Sequence, residues 1–336
     1  MKGLFYLLFP LFAAAFLAVP AAGAAVVEID APGGYEKKGD LIVARGAGGR
    51  PVTVSYSAYR LTARLIRYDQ RRGTVSAEGE ARWRDRDAQP AREIAADLLR
   101  FAMAGETIEA EGSVVLRAAG LLLRARSIRA EPAKGSYLVS GAPARAVLDG
   151  REIEAAEIRY DEARSSLEAR GGLRYRSRDG MEIRAAEAGE LSYDLAARRG
   201  IVSGGLVASR GDWLLTAGEL RYEEEADLYA LAGAPSLSRA GLLLRAGRMV
   251  WRPAAGIATA SEGVEIHDSG YDGSAGEAVY DGDAGLIRLK GEARITRGAD
   301  LLTGEEICYE WAADHVTVDG GARAVLAVEG EVLGTH

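Results

Sequence analysis

The residues that could do chemistry are thinly spread. There are three histidines, His267, His315 and His336, and one cysteine, Cys308. No pair of them has the spacing of a zinc site, which takes Cys or His ligands in closely spaced pairs. A lone cysteine forms no intramolecular disulfide, and a chain of this length can build enough core without one. Serines occur, but none lies in a G-x-S-x-G nucleophile turn. Phosphate-loop and dinucleotide patterns are missing in usable context. The densest carboxylate run, Glu223-Glu224-Glu225, reads as a solvated turn rather than as the paired carboxylates of a hydrolase. The expectation is no catalytic residue, no metal, no cofactor and no enzyme activity.

The start of the chain has a different signature. Lys2 precedes an apolar run from Leu4 to Val19, followed by Ala22-Gly23-Ala24. A basic start, an apolar middle and small residues at the end describe a secretory signal peptide over residues 1–24. An uncleaved N-terminal anchor is the competing reading. Export to the periplasm is expected, with residues 25–336 as one domain. Without residues 1–24 the chain has 41 basic against 49 acidic residues, a net charge of −8. That balance argues against a nucleic-acid partner, which needs a basic face. Arginine far outnumbers lysine, and the excess reads as compositional bias rather than as a phosphate site.

The elements that position everything else are repeats, which must be recognised before any fold is assigned. An anchor alanine recurs at Ala63, Ala96, Ala125, Ala155, Ala188, Ala217, Ala246 and Ala275, with Gly304 in the ninth place. The intervals are 29 or 30 residues, with 33 after Ala63 and after Ala155. Five residues after the anchor stands an aromatic: Tyr68, Phe101, Tyr160, Tyr193, Tyr222, Trp251, Tyr280 and Tyr309, broken only at Ala130. A glycine column runs in phase: Gly79, Gly112, Gly141, Gly171, Gly204, Gly233, Gly263, Gly291 and Gly320.

Within a repeat, apolar residues fall at −2, 0, +3 and +5 from the anchor, as in Ile153, Ala155, Ile158 and Tyr160. Each pair alternates as a half-buried strand does. The parity shifts between the pairs, which is what a bulge or corner does to a strand. In the second half the glycine plays the same part, because glycine inside a strand marks a bulge or tight bend. Asp-, Gly- and Ser-rich links such as 161–165 and 281–285 fit hairpin turns. The extra residues of the 33-residue intervals are placed in such links. The pattern predicts an all-β fold: an antiparallel meander of about eighteen bent strands in nine repeats, each strand giving one arm to each of two sheets. A parallel β-helix is the alternative, since about 30 residues make one coil.

The segment Ile153 to Gly171, and Leu215-x-Ala-x-x-Leu-x-Tyr222 with its following strand to Gly233, resemble the repeat of the LptA/OstA family. That resemblance covers roughly residues 35–330. It implies an elongated, V-shaped antiparallel β-jellyroll that shields the acyl chains of lipopolysaccharide in a hydrophobic groove. It also implies a periplasmic bridge between the membranes, with LptC-like inner-membrane and LptD-like outer-membrane partners and head-to-tail self-association through sheet edges. The columns weaken at Ala130 and around Gly273.

The candidate lipid contacts are the inward positions Ile153, Ile158, Tyr160, Leu215, Leu220, Tyr222, Leu244, Met249 and Trp251. Apolar burial at about 25 cal/mol per Å² is enough to hold acyl chains without chemistry. The same residues could instead fill a closed core. The tyrosine column reads first as strand-favouring aromatics and second as a ladder of hydroxyls at a groove mouth. An exported structural or adhesin-like β-repeat protein without lipid cargo is the alternative function. A polysaccharide-active β-helix ranks last, because adjacent repeats align apolar residues rather than carboxylates.

Overall fold

The computed structural model describes residues 26–327 apart from positions 119, 269 and 312. The expected signal peptide at 1–24 and His336 lie outside the described residues. Within them the chain is β-strand throughout, with three single-turn 3-10 segments at 103–105, 132–134 and 253–255. Every strand pairing is antiparallel between near neighbours in sequence. This rules out the parallel β-helix, whose coils would pair in parallel.

Each long strand is bent in its middle. Strand Arg151–Asp161 shows it best: residues 152–154 pair with Arg174–Arg176, and residues 157–161 pair with Ser166–Arg170. Where both partners run unbroken through the bend, the ladder slips there by a residue or two, as between Ser203 and Leu206 or Lys290 and Ala293. The slip resets the alternation, so both arms turn their apolar residues to the same interior. In Arg151–Asp161 the buried positions are Arg151, Ile153, Ala155, Ile158 and Tyr160. The first arms form one layer, with the anchor alanines; the second arms form another, with the aromatic column. Rings touch from layer to layer: Tyr59 on Phe101 at 5.6 Å, Tyr175 on Tyr222 at 5.6 Å, Trp213 on Trp251 at 5.7 Å and Tyr271 on Tyr309 at 4.5 Å.

The glycine column forms the corner where the layers meet. Gly79, Gly112, Gly171, Gly204, Gly233, Gly263, Gly291 and Gly320 all have positive φ, from 67° to 93°. In most repeats the next residue is left-handed too, as at Gly172, Gly205 and Ala234. Two such residues in succession turn the chain sharply, and only glycine enters that region without steric cost.

The breaks in the columns have local causes. Opposite Ala130 stands Tyr137. Its fully buried ring stacks on Tyr160 at 5.9 Å, filling the place an aromatic at 130 would take. At Gly273, a Cβ would come within 2.6 Å of Ile266 and 3.0 Å of Leu289, so those side chains already occupy its space. The interval from Ala155 to Ala188 departs from expectation. The residue that continues the first layer is Ala185, and 186–189 form a loop at the corner before strand Glu190–Asp194. The extra residues sit at the bend there, not in a link, because link 177–180 closes a short turn through Ser177 and Met181. The extra residues after Ala63 are in a link, as expected, between strands Thr74–Asp85 and Arg92–Ala102.

Candidate functional site

The nine candidate contact residues come together in the one interior. Ile153, Leu215 and Leu244 stand on the first layer; Ile158, Tyr160, Leu220, Tyr222, Met249 and Trp251 stand on the second. All are buried, between 0 and 5% exposed. Their outward neighbours Arg159 and Arg221 are exposed. The interior is continuous from Ala44 to Tyr309 and consists of Leu, Ile, Val, Ala, Met and aromatic side chains.

Opposite the corner lies the mouth, where the strand turns of the two layers face each other. Among the described residues the chain does not cross it, and side chains bridge it. Tyr59 donates from its hydroxyl to Glu106 at 2.9 Å. Arg92 reaches Glu162 at 3.0 Å and the carbonyl of Pro132 at 3.3 Å, while holding Asp85 on its own layer at 3.2 Å. Arg151 grips Glu224 with both Nε, at 2.6 Å, and Nη2. Arg210 reaches Asp227 at 2.5 Å and Asp179 at 3.1 Å, and Tyr229 donates to Asp179 at 3.1 Å. Near the C-terminal end, Asp314 accepts from Tyr271 at 2.7 Å and from Arg297 at 3.0 Å.

Each arginine of the last three bridges lies over a tyrosine ring: Arg151 on Tyr193, Arg210 on Tyr229 and Arg297 on Tyr271, with 4.7 to 5.8 Å to the ring centroid. Such cation–π contact adds to the ion pair where water is excluded. The electrostatics follow the geometry. The hydrogen bonds it donates to Glu224 hold the Arg151 guanidinium further above its usual range. Burial pushes the Tyr193 hydroxyl up, and the Glu224 carboxylate that accepts from it adds to the rise. Burial also raises Tyr229, reinforced by Asp179. Tyr271 is pushed up to about 12, by desolvation first and by its bond to Asp314 second. These hydroxyls stay protonated and serve as donors at neutral pH.

The carboxylates of three bridges share a backbone position. Ten residues after the anchor, Gly73, Glu106, Gly135, Ser165, Arg198, Asp227, Gly256, Gly285 and Asp314 all have positive φ, between 44° and 69°. Glu106, Asp227 and Asp314 thus accept the steric cost of a left-handed turn in a place that aims a carboxylate across the mouth.

Sequence reasoning missed this row. The run Glu223–Glu225 is not simply solvated: Glu224 has a side chain 21% exposed and holds Arg151, whose side chain is 5% exposed. Glu223 and Glu225 pair with Arg199 and Arg198 at the rim. The arginine excess is likewise not only compositional at Arg92, Arg151 and Arg210. The tyrosine column divides: Tyr193 carries its hydroxyl to the mouth, as does Tyr229 outside the column, whereas Tyr160 and Tyr222 are interior filling. Cys308 is half-buried on the outer face opposite Arg288. His267 pairs with Asp272 at 2.7 Å on the surface. Among the described residues no three Cys, His, Asp or Glu side chains are grouped to hold a metal. No described helix is long and apolar enough to cross a membrane.

No curated protein matches the chain. Among solved structures it is similar to LptH of Pseudomonas aeruginosa, the LptA-homologous periplasmic component of that organism's lipopolysaccharide transport device. The two are 10% identical with a TM-score of 0.33, over 34% of this chain and 95% of LptH. A family model described as LptA/(LptD N-terminal domain) LPS transport protein matches residues 182–315. The resemblance carried by the repeat columns is borne out: over residues 182–315 this chain is similar to the LptA/LptD N-terminal family of lipopolysaccharide transport proteins.

Proposed function

We propose that this chain is a periplasmic carrier that shelters the acyl chains of lipopolysaccharide, or of a related lipid, between its two layers, and that bridges inner to outer membrane. The observation that carries this is the unbroken apolar interior running through the family-matched segment, with Leu215, Leu220, Leu244, Met249 and Trp251 along it. Acyl chains entering between the layers would exchange contacts with Leu, Met and aromatic side chains for similar contacts one repeat further on. Sliding then meets no deep trap, and burial at about 25 cal/mol per Å² supplies the affinity.

Both ends of the strand series suit partners joined by edge pairing. Strands His315–Asp319 and Arg323–Val325 pair only with Asp300–Glu310 among the described residues, and Val325 and Leu326 are exposed. Tyr35–Lys38 pairs only with Leu41–Arg45. Open edges carry unpaired backbone groups that template a further strand, so LptC-like and LptD-like proteins or a second copy of this chain are the expected neighbours. The filled interior and bridged mouth favour one competing reading, an exported structural array with no lipid cargo.

Lipid photocrosslinking in a Gram-negative envelope decides between them. A photoreactive residue replaces Ile158, Leu220 or Met249, with Arg159 and Arg221 as outward controls. Crosslinks to lipopolysaccharide from the inward positions alone are expected. No lipid at any inward site, in a folded and exported protein, leaves the structural array.

A further inference from the structure

The mouth bridges have a chemistry that the need to hold two layers together does not account for. Apolar residues would close the mouth at lower desolvation cost, since buried ion pairs are often no better than hydrophobic replacements. Instead arginines recur there. Arg92, Arg151, Arg210 and Arg297 stand on the first layer, three to six strands apart, about 14 to 29 Å at about 4.8 Å per strand. Arg92, Arg151 and Arg297 reach second-layer carboxylates through guanidinium nitrogens, and Arg151 does so with two at once. The guanidinium fork that fits a carboxylate fits a phosphate equally well.

The Arg92 bridge adds an independent sign. Its Nε has no hydrogen-bond partner, and neither has the hydroxyl of Tyr137, a residue that is fully buried. Tyr137 lies close enough to Arg92 and Glu162 for their charges to act on its hydroxyl. Buried polar groups are rarely left without a hydrogen bond, yet here Nε of Arg92, the Tyr137 hydroxyl and Oε2 of Glu162 all are, so the groups of this bridge do not satisfy one another.

We propose that Arg92, Arg151, Arg210 and Arg297 form a ladder of phosphate-exchange stations along the mouth. At rest each guanidinium holds a carboxylate of this chain. As an amphiphile moves with its acyl chains inside and its head group outside, a phosphate displaces that carboxylate. A phosphate monoester carries roughly −1.5 to −2 charges at neutral pH against one for the carboxylate it replaces, so the exchange favours the cargo. It also removes the bridge, which lets the layers part where the head group must pass and close behind it. The proposal rests on the lipid-carrier reading and deepens it, naming a phosphorylated head group as what the mouth selects.

The test uses the purified mature chain and two probes of equal acylation: lipid A with its phosphates, and lipid A from which they have been removed. Binding is followed by tryptophan fluorescence, with Trp213 and Trp251 in the interior as reporters. Arg151→Met with Arg210→Met should weaken the phosphorylated probe by at least about tenfold, the scale of lost hydrogen bonds to a charged group. The dephosphorylated probe should change less than about twofold on that scale. Glu224→Gln with Asp227→Asn frees the arginines and should tighten the phosphorylated probe alone. Arg151→Lys, which keeps the charge and loses the fork, should fall between. Arg297→Gln, at an exposed bridge, carries the same comparison without risk to folding. If both probes bind and respond equally to every variant, the bridges only hold the layers and the ladder is wrong while the carrier stands. If neither probe binds the wild-type chain, the carrier reading itself fails and takes the ladder with it.

Discussion

The two margins of the double layer are made on opposite principles. At the corner the chain itself passes from layer to layer within the bent strands. The joint is covalent, and it is tightened by backbone hydrogen bonds such as Arg64 N–H to Gly79, Ala156 N–H to Gly171 and Glu305 N–H to Gly320. Glycine recurs in it because backbone approaches backbone, as where Gly218 and Gly233 meet, and the longer residues there, such as Arg64, Glu80 and Glu305, are exposed. At the mouth the turns join strands within one layer only, and arginines, carboxylates and tyrosines meet across it. A margin built from the chain can flex but cannot come apart; a margin built from side chains can. The molecule therefore has a hinge along one side and a row of separable contacts along the other.

The largest effect should come from stiff substitution at the hinge. Gly204 has φ of 93°, and a Cβ there would lie 2.6 Å from the carbonyl oxygen of Ala188. A β-branched residue meets both the steric limit and a backbone atom. Gly204→Val should cost about 3 kcal/mol, seen as a fall in the midpoint of urea unfolding. An unchanged midpoint would show that the corner is not the rigid margin. The mouth should yield less. Arg151→Met leaves Glu224 without its fork, but Glu224 keeps some access to water, so about 2 kcal/mol is expected rather than the full penalty of a buried orphan charge. Adding Glu224→Leu should recover part of the loss. A double variant as unstable as the sum of the singles would mean the pair is not coupled.

A smaller effect, of opposite sign, belongs to the turns that carry the mouth carboxylates. Ser165 occupies the shared left-handed position with φ of 50° and makes no bridge across the mouth. Ser165→Gly removes the steric cost and should stabilise by about 0.5–1 kcal/mol. The same change at Asp227 should not, because it also deletes the partner of Arg210. Equal gains at both positions would show that Asp227 contributes nothing across the mouth.

How far the molecule was legible in its sequence follows the same division. The corner and both arms are local features. Ile153, Ala155, Ile158 and Tyr160 lie within eight residues, so their alternation and its slip appear in the letters. The repeated glycine could be read because one residue type serves one backbone need. The left-handed position ten residues after the anchor could not, because Gly, Glu, Ser, Arg and Asp all occupy it. The mouth was hidden for a stronger reason. Arg151 and Glu224 are 73 residues apart and belong to repeats two periods distant. That offset is set by how the layers stagger when they pack, which no local pattern encodes. Asp227 and Arg210 are 17 apart, closer in sequence, yet on opposite layers. Glu224 consequently read as one of three solvated acids. The displaced residues 186–189 escaped because the period fixes how many residues a repeat holds, not where an insertion is absorbed.

The C-terminal bridge offers the gentlest way to open the mouth, since Arg297 and Asp314 are both well exposed. Hydrogen bonds from Tyr271 and from Arg297 hold the Asp314 carboxyl below its ordinary value. A folded-state value below the unfolded one means that the unfolded chain takes up protons first as the solution is acidified. The stabilisation from this bridge is therefore fully present above the unfolded aspartate value, about 3.9, and is lost as pH falls through the lower folded one. Asp179 is also lowered: its burial alone would raise it, but bonds from Ser177 and Tyr229 and the charge of Arg210 outweigh that. Asp179 and Asp314 should thus both hold from neutral pH down to about 4, each releasing below it as its own lowered value is passed. The Arg297–Asp314 bridge should also weaken with added salt at neutral pH, because exposed charges are screened within about 10 Å at 0.1 M. Hydrogen exchange at Trp311, Ala313 and Asp314 reads both effects directly. Faster exchange there at low pH or high salt, after correction for the intrinsic rate and with the corner amides of Gly204 and Gly233 unchanged, is the expected result. Equal loosening at the corner would mean that the two margins open as one unit and that the distinction between hinge and mouth does not hold.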